Sequence, residues 1–192
     1  MRIIENFLPE ETVNQIREAL TNNYFKWYYH DATTNYSPDR FEDANTVDSI
    51  QFTHSMFIDN EAKSEHIQLI MKIAKALEEQ GVIIKELYRA KANMLPRDPS
   101  YVDGTYHYPH SDTMLRFEDN TYSFIYYVND SDGDTFIFNE TTTDFPESLT
   151  IAHRITPKAG TGVLFKSNTY HASSSPKVTN ARFVINIVFD LG

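Results

Sequence analysis

Cysteine is absent from the 192 residues, which excludes disulfides, thiolate-held zinc, iron–sulfur clusters and thiol nucleophiles. Any metal must therefore rest on His, Asp and Glu. Glycine is scarce, with 6 residues against 12 Tyr and 13 Phe, a balance that favours β-rich packing over disorder. Basic side chains are outnumbered, 17 Lys and Arg to 27 Asp and Glu, and the net charge of −10 offers no broad cationic surface to a phosphate backbone. Nucleic acid is not an expected partner. No stretch approaches eighteen apolar residues, and Met1-Arg2-Ile3-Ile4-Glu5 lacks the apolar run of a signal peptide, so a cytoplasmic protein without a membrane span is expected. With no repeat, linker or low-complexity tract, the chain reads as a single domain over 1–192.

Residues 2–8 read as a short strand, and Leu8-Pro9-Glu10-Glu11 opens a helix to about Leu20. Its acidic first turn suits the helix dipole, and Val13, Ile16 and Leu20 recur at helical spacing. The aromatic run Tyr24-Phe25-Lys26-Trp27-Tyr28-Tyr29 predicts a strand. Residues 30–49 are polar and aperiodic, a surface loop long enough to be a lid, in which Tyr36, Arg40 and Phe41 either touch a substrate or pin the loop down. The clearest helix spans 60–80, where Ile67, Ile70, Met71, Ala74 and Leu77 form a core stripe that Gly81 is placed to end. A strand over 82–96 follows, with Ala90, Ala92 and Met94 on one face and Arg89, Lys91, Asn93 and Leu95 on the other. Lys91 and Asn93 are candidates to line a site. Further strands are expected at 121–129, 135–139, 151–156, 161–166 and 181–190, separated by turns rich in Asp, Gly, Ser and Pro. Helices first and then a run of strands predict a mainly β, α+β fold. The expectation is a double-stranded β-helix, or jelly roll, with the N-terminal helices packed on the larger sheet.

The chemistry concentrates in Tyr106-His107-Tyr108-Pro109-His110-Ser111-Asp112. In an extended chain His110 and Asp112 share one face and His107 takes the other. A second imidazole is available in Ser167-Asn168-Thr169-Tyr170-His171-Ala172-Ser173. Two His and one Asp can occupy one face of an octahedron and leave three positions open, which suits a non-haem Fe(II) that must bind O2 and an oxidisable partner together. Along the last strand Phe183, Ile185, Ile187 and Phe189 alternate with Arg182, Val184 and Asn186, and a lone Arg on a buried strand needs an anion. Alternation also makes Tyr126 and Tyr127 mutually exclusive as site residues. His107 reads as a surface or core histidine, and His30, His54, His66 and His153 have no partner at ligand spacing. Asp132-Gly133-Asp134 lacks the rest of a calcium loop.

His110-x-Asp112, then His171 about sixty residues on and Arg182 eleven further, resembles the Fe(II)/2-oxoglutarate-dependent oxygenases, and most of all their prolyl 4-hydroxylase-like branch. Ile125-Tyr126-Tyr127-Val128-Asn129 is similar to the strand after the first two metal ligands of that branch. Asp132-Gly133-Asp134-Thr135-Phe136-Ile137-Phe138 is similar to its Gly-Gly-Glu-Thr-x-Phe turn and strand, and Gly160-Thr161-Gly162-Val163-Leu164-Phe165 to the strand before the distal His. The resemblance covers residues 86–190 as ordered motifs, and Ile3-Ile4-Glu5-Asn6-Phe7-Leu8-Pro9 resembles the usual domain opening.

The resemblance implies a dioxygenase that converts 2-oxoglutarate and O2 to succinate and CO2 while hydroxylating a C–H bond of a prolyl, peptidyl or small-molecule substrate. His110, Asp112 and His171 would hold Fe(II), and Arg182 would pair with the C5 carboxylate of 2-oxoglutarate, aided by the Tyr127 hydroxyl. Asn93 is a further cosubstrate candidate and ascorbate a candidate reductant. Collagen-type prolyl hydroxylases carry Lys where this chain has Arg182; other members carry Arg. Related halogenases have a small residue at the carboxylate position, which Asp112 fills, so hydroxylation is favoured. Other readings of the same residues are a cupin-type jelly-roll module or isomerase, for which Arg182 has no evident use, and a zinc hydrolase. Monomer and homodimer are equally compatible with the sequence.

Overall fold

The computed structural model describes residues 1–34, 45–112, 120–144 and 146–192; the expected loop contacts Tyr36, Arg40 and Phe41 lie outside them. The strands form two antiparallel sheets. The larger runs in the order β1 (Arg2–Ile4), β9 (Gly162–Lys166), β6 (Thr121–Tyr127), β11 (Ala181–Leu191), β5 (Ile84–Pro96), β3 (Gln51–Ile58) and β2 (Tyr28–His30), with β4 (Glu61–Ala62) on β3. The smaller is β10 (Thr169–Ser173), β7 (Thr135–Thr141) and β8 (Ile151–Ile155). Helices α1 (Glu10–Thr21) and α2 (Ile67–Glu79) cover the outer face of the larger sheet, giving the expected jelly roll with helical backing. Among the described residues no helix is long and apolar enough to cross a membrane.

Alternation along the central strand β11 divides the interior. Ile185, Ile187 and Phe189 join Ile16 and Leu20 of α1 and Ile70, Ile73 and Leu77 of α2 in the main core. Val184, on the other face, packs between the sheets with Ile125, Tyr127, Ile137, Val163 and Phe165. Tyr126 and Tyr127 separate in the same way: Tyr126 packs under Phe7 in the helical core and Tyr127 faces the smaller sheet.

The structure corrects several expectations. Only Tyr28 and Tyr29 of the aromatic run lie in a strand, β2. Tyr24 is 90% exposed, while Phe25 is buried beside Trp27, His54 and His66, so these rings serve packing rather than a ladder. The first strand stops at Ile4, because Asn6 adopts a left-handed φ of 49°. The second helix starts at Ile67 after the β4 turn. Met71 is exposed, and Ile73 takes the core position expected of it. Strands β3 and β10 were not anticipated. Residues 106–112 are not a continuous strand: they bend at His107 and, among the described residues, form bridges only at Tyr106 with Thr46 and at His110 with His171. Pro109, which has no N–H to donate, sits inside that stretch.

His107 anchors the segment. Its amide donates to the Ser173 carbonyl (2.8 Å), and its ring nitrogens lie 3.1 Å from the hydroxyls of Ser173 and Ser175. Burial, reinforced by Arg182, pushes its pKa down to about 4. Gly162 is dictated by a close approach, since a Cβ there would lie 2.2 Å from the Phe124 ring.

Two measurements test these points. Gly162→Ala should overpack a fully buried ring and cost about 1–3 kcal/mol, read as a lower urea midpoint at unchanged slope. For His107 the folded pKa lies below that of the unfolded chain, so the unfolded state binds more protons below pH 6.5 and stability is lost as pH falls through that value towards 4. Between pH 7 and 5 this histidine alone should remove roughly 2 kcal/mol from the metal-free protein, and His107→Gln should shrink the loss correspondingly. Equal losses in both proteins would contradict the assignment.

Candidate metal centre

The centre is assembled by one reciprocal backbone pair. The His110 amide donates to the His171 carbonyl (2.9 Å), and the His171 amide donates back to the His110 carbonyl (2.8 Å). Directly opposed residues of an antiparallel pair project to the same side, so both imidazoles enter the space between the sheets, with ring centroids 4.4 Å apart. Two residues on, the Asp112 amide donates to the Ser167 carbonyl (3.0 Å), bringing a carboxylate oxygen 3.6 Å from His171 Nε2. Ligand atoms of His110, Asp112 and His171 all lie within 4.8 Å of one another, the only such group of three or more among the described residues.

Each imidazole is held in one tautomer. His110 Nδ1 lies 3.3 Å from the Tyr108 carbonyl and His171 Nδ1 3.1 Å from that of Thr169. A carbonyl only accepts, so Nδ1 carries the hydrogen and Nε2 the lone pair. Burial, then the neighbouring His171, pushes His110 down to about 3. Burial also lowers His171, against the opposing pull of Asp112, so both rings are neutral near pH 7 and available as donors.

Asp112 is 4% exposed, and its charge is compensated from three strands. Arg89 of β5 donates to Oδ1, while Ser123 of β6 (2.7 Å) and Asn186 of β11 (3.2 Å) donate to Oδ2. Burial by itself would raise this carboxyl. Arg89, helped by the two imidazoles and Ser123, holds it well below the usual carboxylate range.

A narrow cavity extends from the imidazoles between the sheets, with Asn93, Thr135, Arg182 and Asn186 in its wall. Arg182 is 4% exposed and has no carboxylate hydrogen-bonded to it among the described residues. Its Nε donates to the Gly133 carbonyl (2.9 Å) and its Nη2 to Thr135 Oγ1 (2.7 Å). Tyr127 Oη also donates to Thr135 Oγ1 (2.8 Å), so that hydroxyl has accepted twice and keeps its own hydrogen to give. The turn before it depends on Gly133, where a Cβ would lie 2.6 Å from the Ser174 carbonyl oxygen. Asn93 Oδ1 is buried without a hydrogen-bond partner. Lys91 stands between Arg89 and Asn93 on the inner face of β5; burial, then Arg89, pushes its pKa down to about 8.

The structure thus brings His110, Asp112, His171, Arg182, Tyr127 and Asn93 to one face of the larger sheet and its partner strand, while His30, His54, His66 and His153 stay outside the centre. Sequence reasoning missed Arg89, Ser123, Thr135 and Asn186 as participants. Thr135 stood in the quoted turn-and-strand motif and Asn186 on the face already assigned to Arg182. Nothing in the sequence marked Ser123, whose role comes from register alone.

The profile of the 2OG-Fe(II) oxygenase superfamily matches residues 99–190. No curated protein sequence matches the chain. Among solved structures, a Trichoplax adhaerens prolyl hydroxylase in complex with a hypoxia-inducible-factor peptide has 16% identity and a TM-score of 0.62, over 98% of this chain and 82% of that one. A Burkholderia pseudomallei 2OG-Fe(II) oxygenase-family oxidoreductase has 11% identity and a TM-score of 0.63, over 98% and 84%. The carbocyclase SnoK of nogalamycin biosynthesis has 13% identity and a TM-score of 0.62, over 98% and 78%. These likenesses establish the fold, and the buried donor set fits the iron of the family. Residues 99–190 thus carry the profile of the 2OG-Fe(II) oxygenase superfamily, and the buried donor set fits the Fe(II), 2-oxoglutarate and O2 that this superfamily uses.

Proposed function

We propose that the protein is a hydroxylase of the prolyl 4-hydroxylase-like branch, acting on a prolyl or other peptidyl residue or on a small molecule. The single observation that carries this reading is a buried Arg182 with no carboxylate hydrogen-bonded to it among the described residues, set across a cavity from a His–Asp–His donor set. A buried cation whose hydrogen bonds go to neutral groups is an expensive arrangement in a folded interior, and a dicarboxylate cosubstrate supplies the missing charge.

His110 and His171 would hold the iron through Nε2, and Asp112 through a carboxylate oxygen. Iron in that position supplies the oxidative chemistry, coupling decarboxylation of 2-oxoglutarate to oxidation of the substrate C–H bond. The protein's part is positioning. Arg182 presents its guanidinium to the distal carboxylate of 2-oxoglutarate, the Thr135 hydroxyl has a hydrogen left to donate to it, and Tyr127 orients Thr135. Asn93, in the cavity wall with Arg182, is a further candidate contact for the cosubstrate. The cavity is small, ≈ 40 Å³, the scale of a few water molecules, so an entering dicarboxylate displaces side chains from their present positions. Phe165 and Ile125 beside the imidazoles keep the reacting region apolar and exclude water.

Solved neighbours include prolyl hydroxylases, an epimerase and a carbocyclase, so the fold alone does not choose the outcome. Asp112 favours hydroxylation over halogenation, because its carboxylate occupies the place a halide would need. Cupin-type and zinc-hydrolase readings leave Arg182 without a purpose.

Anaerobic addition of Fe(II) and then 2-oxoglutarate should produce the weak visible charge-transfer band of an iron-chelated keto acid. The band should be absent in His171→Ala. In Arg182→Met, the 2-oxoglutarate concentration giving half the band should rise about 10–100-fold, the loss of a charge-assisted pair worth about 1.5–3 kcal/mol. In air the wild type should form succinate from 2-oxoglutarate. Iron binding with neither band nor succinate would overturn the reading, and activity retained under nitrogen would point to hydrolysis.

A further inference from the structure

The inner face of β5 presents Arg89, Lys91 and Asn93 in alternate positions. Arg89 is tied to Asp112, and Asn93 faces the cavity shared with Arg182. Lys91 is mostly buried, and its amino group makes no hydrogen bond or ion pair among the described residues. The nearest carboxylate that acts on it, Asp112, already accepts from Arg89, Ser123 and Asn186. On the face of β5 that carries Arg89, a guanidinium of the same sign, the Lys91 ammonium thus has only the shared charge of Asp112 to offset it among the described residues.

The same face continues away from the metal centre. Ser55 of β3 stands opposite Lys91, Thr53 opposite Asn93, and Tyr28 of β2 opposite Thr53, so these side chains share one side of the sheet. There Tyr28, His30, Thr53 and Ser55, with His54 and Lys63 at its border, line a groove of ≈ 350 Å³. No carboxylate is among the groove's lining residues, and its one lysine, Lys63, pairs with Glu61 beside it.

We propose that Lys91 is a specificity-determining residue: the primary substrate lies across β5, β3 and β2 and carries a carboxylate that Lys91 receives beside the metal centre. The inference rests on the oxygenase reading above and deepens it by naming the substrate class. Either a small organic acid or an acidic peptide would supply that group.

Equilibrium binding to the anaerobic Fe(II)- and 2-oxoglutarate-loaded protein tests this, by calorimetry with two probe sets. One compares N-acetyl amino acids with their uncharged amides, and the other compares blocked proline-containing tetrapeptides bearing Glu with the same peptides bearing Gln. At least one acidic member should bind tenfold or more tightly than its neutral counterpart, and the set in which this occurs identifies a small acid or a peptide. The preference should fall below threefold in Lys91→Met, which keeps the apolar stem, and persist in Lys91→Arg. The proposal is overturned if the wild type binds acidic and neutral members alike or binds neither, or if the preference survives in Lys91→Met. It is equally overturned if Lys91→Met weakens 2-oxoglutarate itself tenfold, since Lys91 would then serve the cosubstrate. Loss of the iron–2-oxoglutarate band in the wild type would instead count against the oxygenase reading.

Discussion

The pair of backbone hydrogen bonds between His110 and His171 is the constraint on which the site depends. These residues are 61 positions apart, and no side-chain contact could hold two imidazoles in matched orientation as firmly as two peptide groups that donate to each other. A slip of one residue on either side would turn an imidazole out of the sandwich, because side chains alternate strictly across a strand. Register is secured on both sides of the pair, by His107 donating to the Ser173 carbonyl and by Asp112 donating to that of Ser167. The buried ring of His107, fastened to Ser173 and Ser175, acts as a peg for the same register. The histidine outside the metal centre and the two inside it are thus parts of one arrangement, the first holding the chain that the others need.

Charge is the second organising term. Burying a carboxylate and a guanidinium within one fold is costly, and the two are handled differently. Asp112 is fully compensated by donors from β5, β6 and β11, so it is ionised and fixed before any metal arrives. Arg182 donates only to a carbonyl and a hydroxyl among the described residues. Asp134, the acid nearest along the turn, acts on Arg182 only through its charge, because its ion pair is made with Arg154. One end of the inter-sheet space is therefore balanced with respect to anions and the other is not, and that asymmetry gives a two-ended diacid a single favoured direction.

Much of this was legible in the sequence. The alternation in β11 separated core from site from Arg182 to Ile187 and at Phe189, and β6, β7, β8 and β9 fall within a few residues of their expected ends. Each is a strongly periodic segment whose signal is local. His110, Asp112, His171 and Arg182 were visible because their order and spacing survive without a structure. What escaped was set by register between distant strands. Ser123 and Arg89 meet Asp112 because β6, β11 and β5 lie side by side, a fact encoded in no window of sequence. Strand β3 hid because a bulge between Ser55 and Phe57 breaks its alternation, and β10 because five residues mixing Thr, Tyr, His, Ala and Ser carry no period. The aromatic run at 24–29 misled for the opposite reason: Phe25 and Trp27 have the composition of a strand but pack as a cluster against His54, His66 and Phe183.

Strand β5 shows how one stretch can serve several purposes at once. Its outer face, Ala90 and Ala92, is small enough for the helices to approach closely, while its inner face spaces three polar groups about 7 Å apart along the strand direction. Antiparallel pairing sets Asn186 opposite Lys91 and Val184 opposite Asn93, so metal end and cosubstrate end run in opposite chain directions on two adjacent strands. Moving along β5 from Arg89 to Asn93 therefore passes from the group that fixes the metal ligand to the group that faces the cosubstrate cavity. Lys91 lies between them, with the open face of β3 on its far side. A cation in that position is placed to sense what approaches from the sheet edge, because the groups on either side of it already have their own tasks.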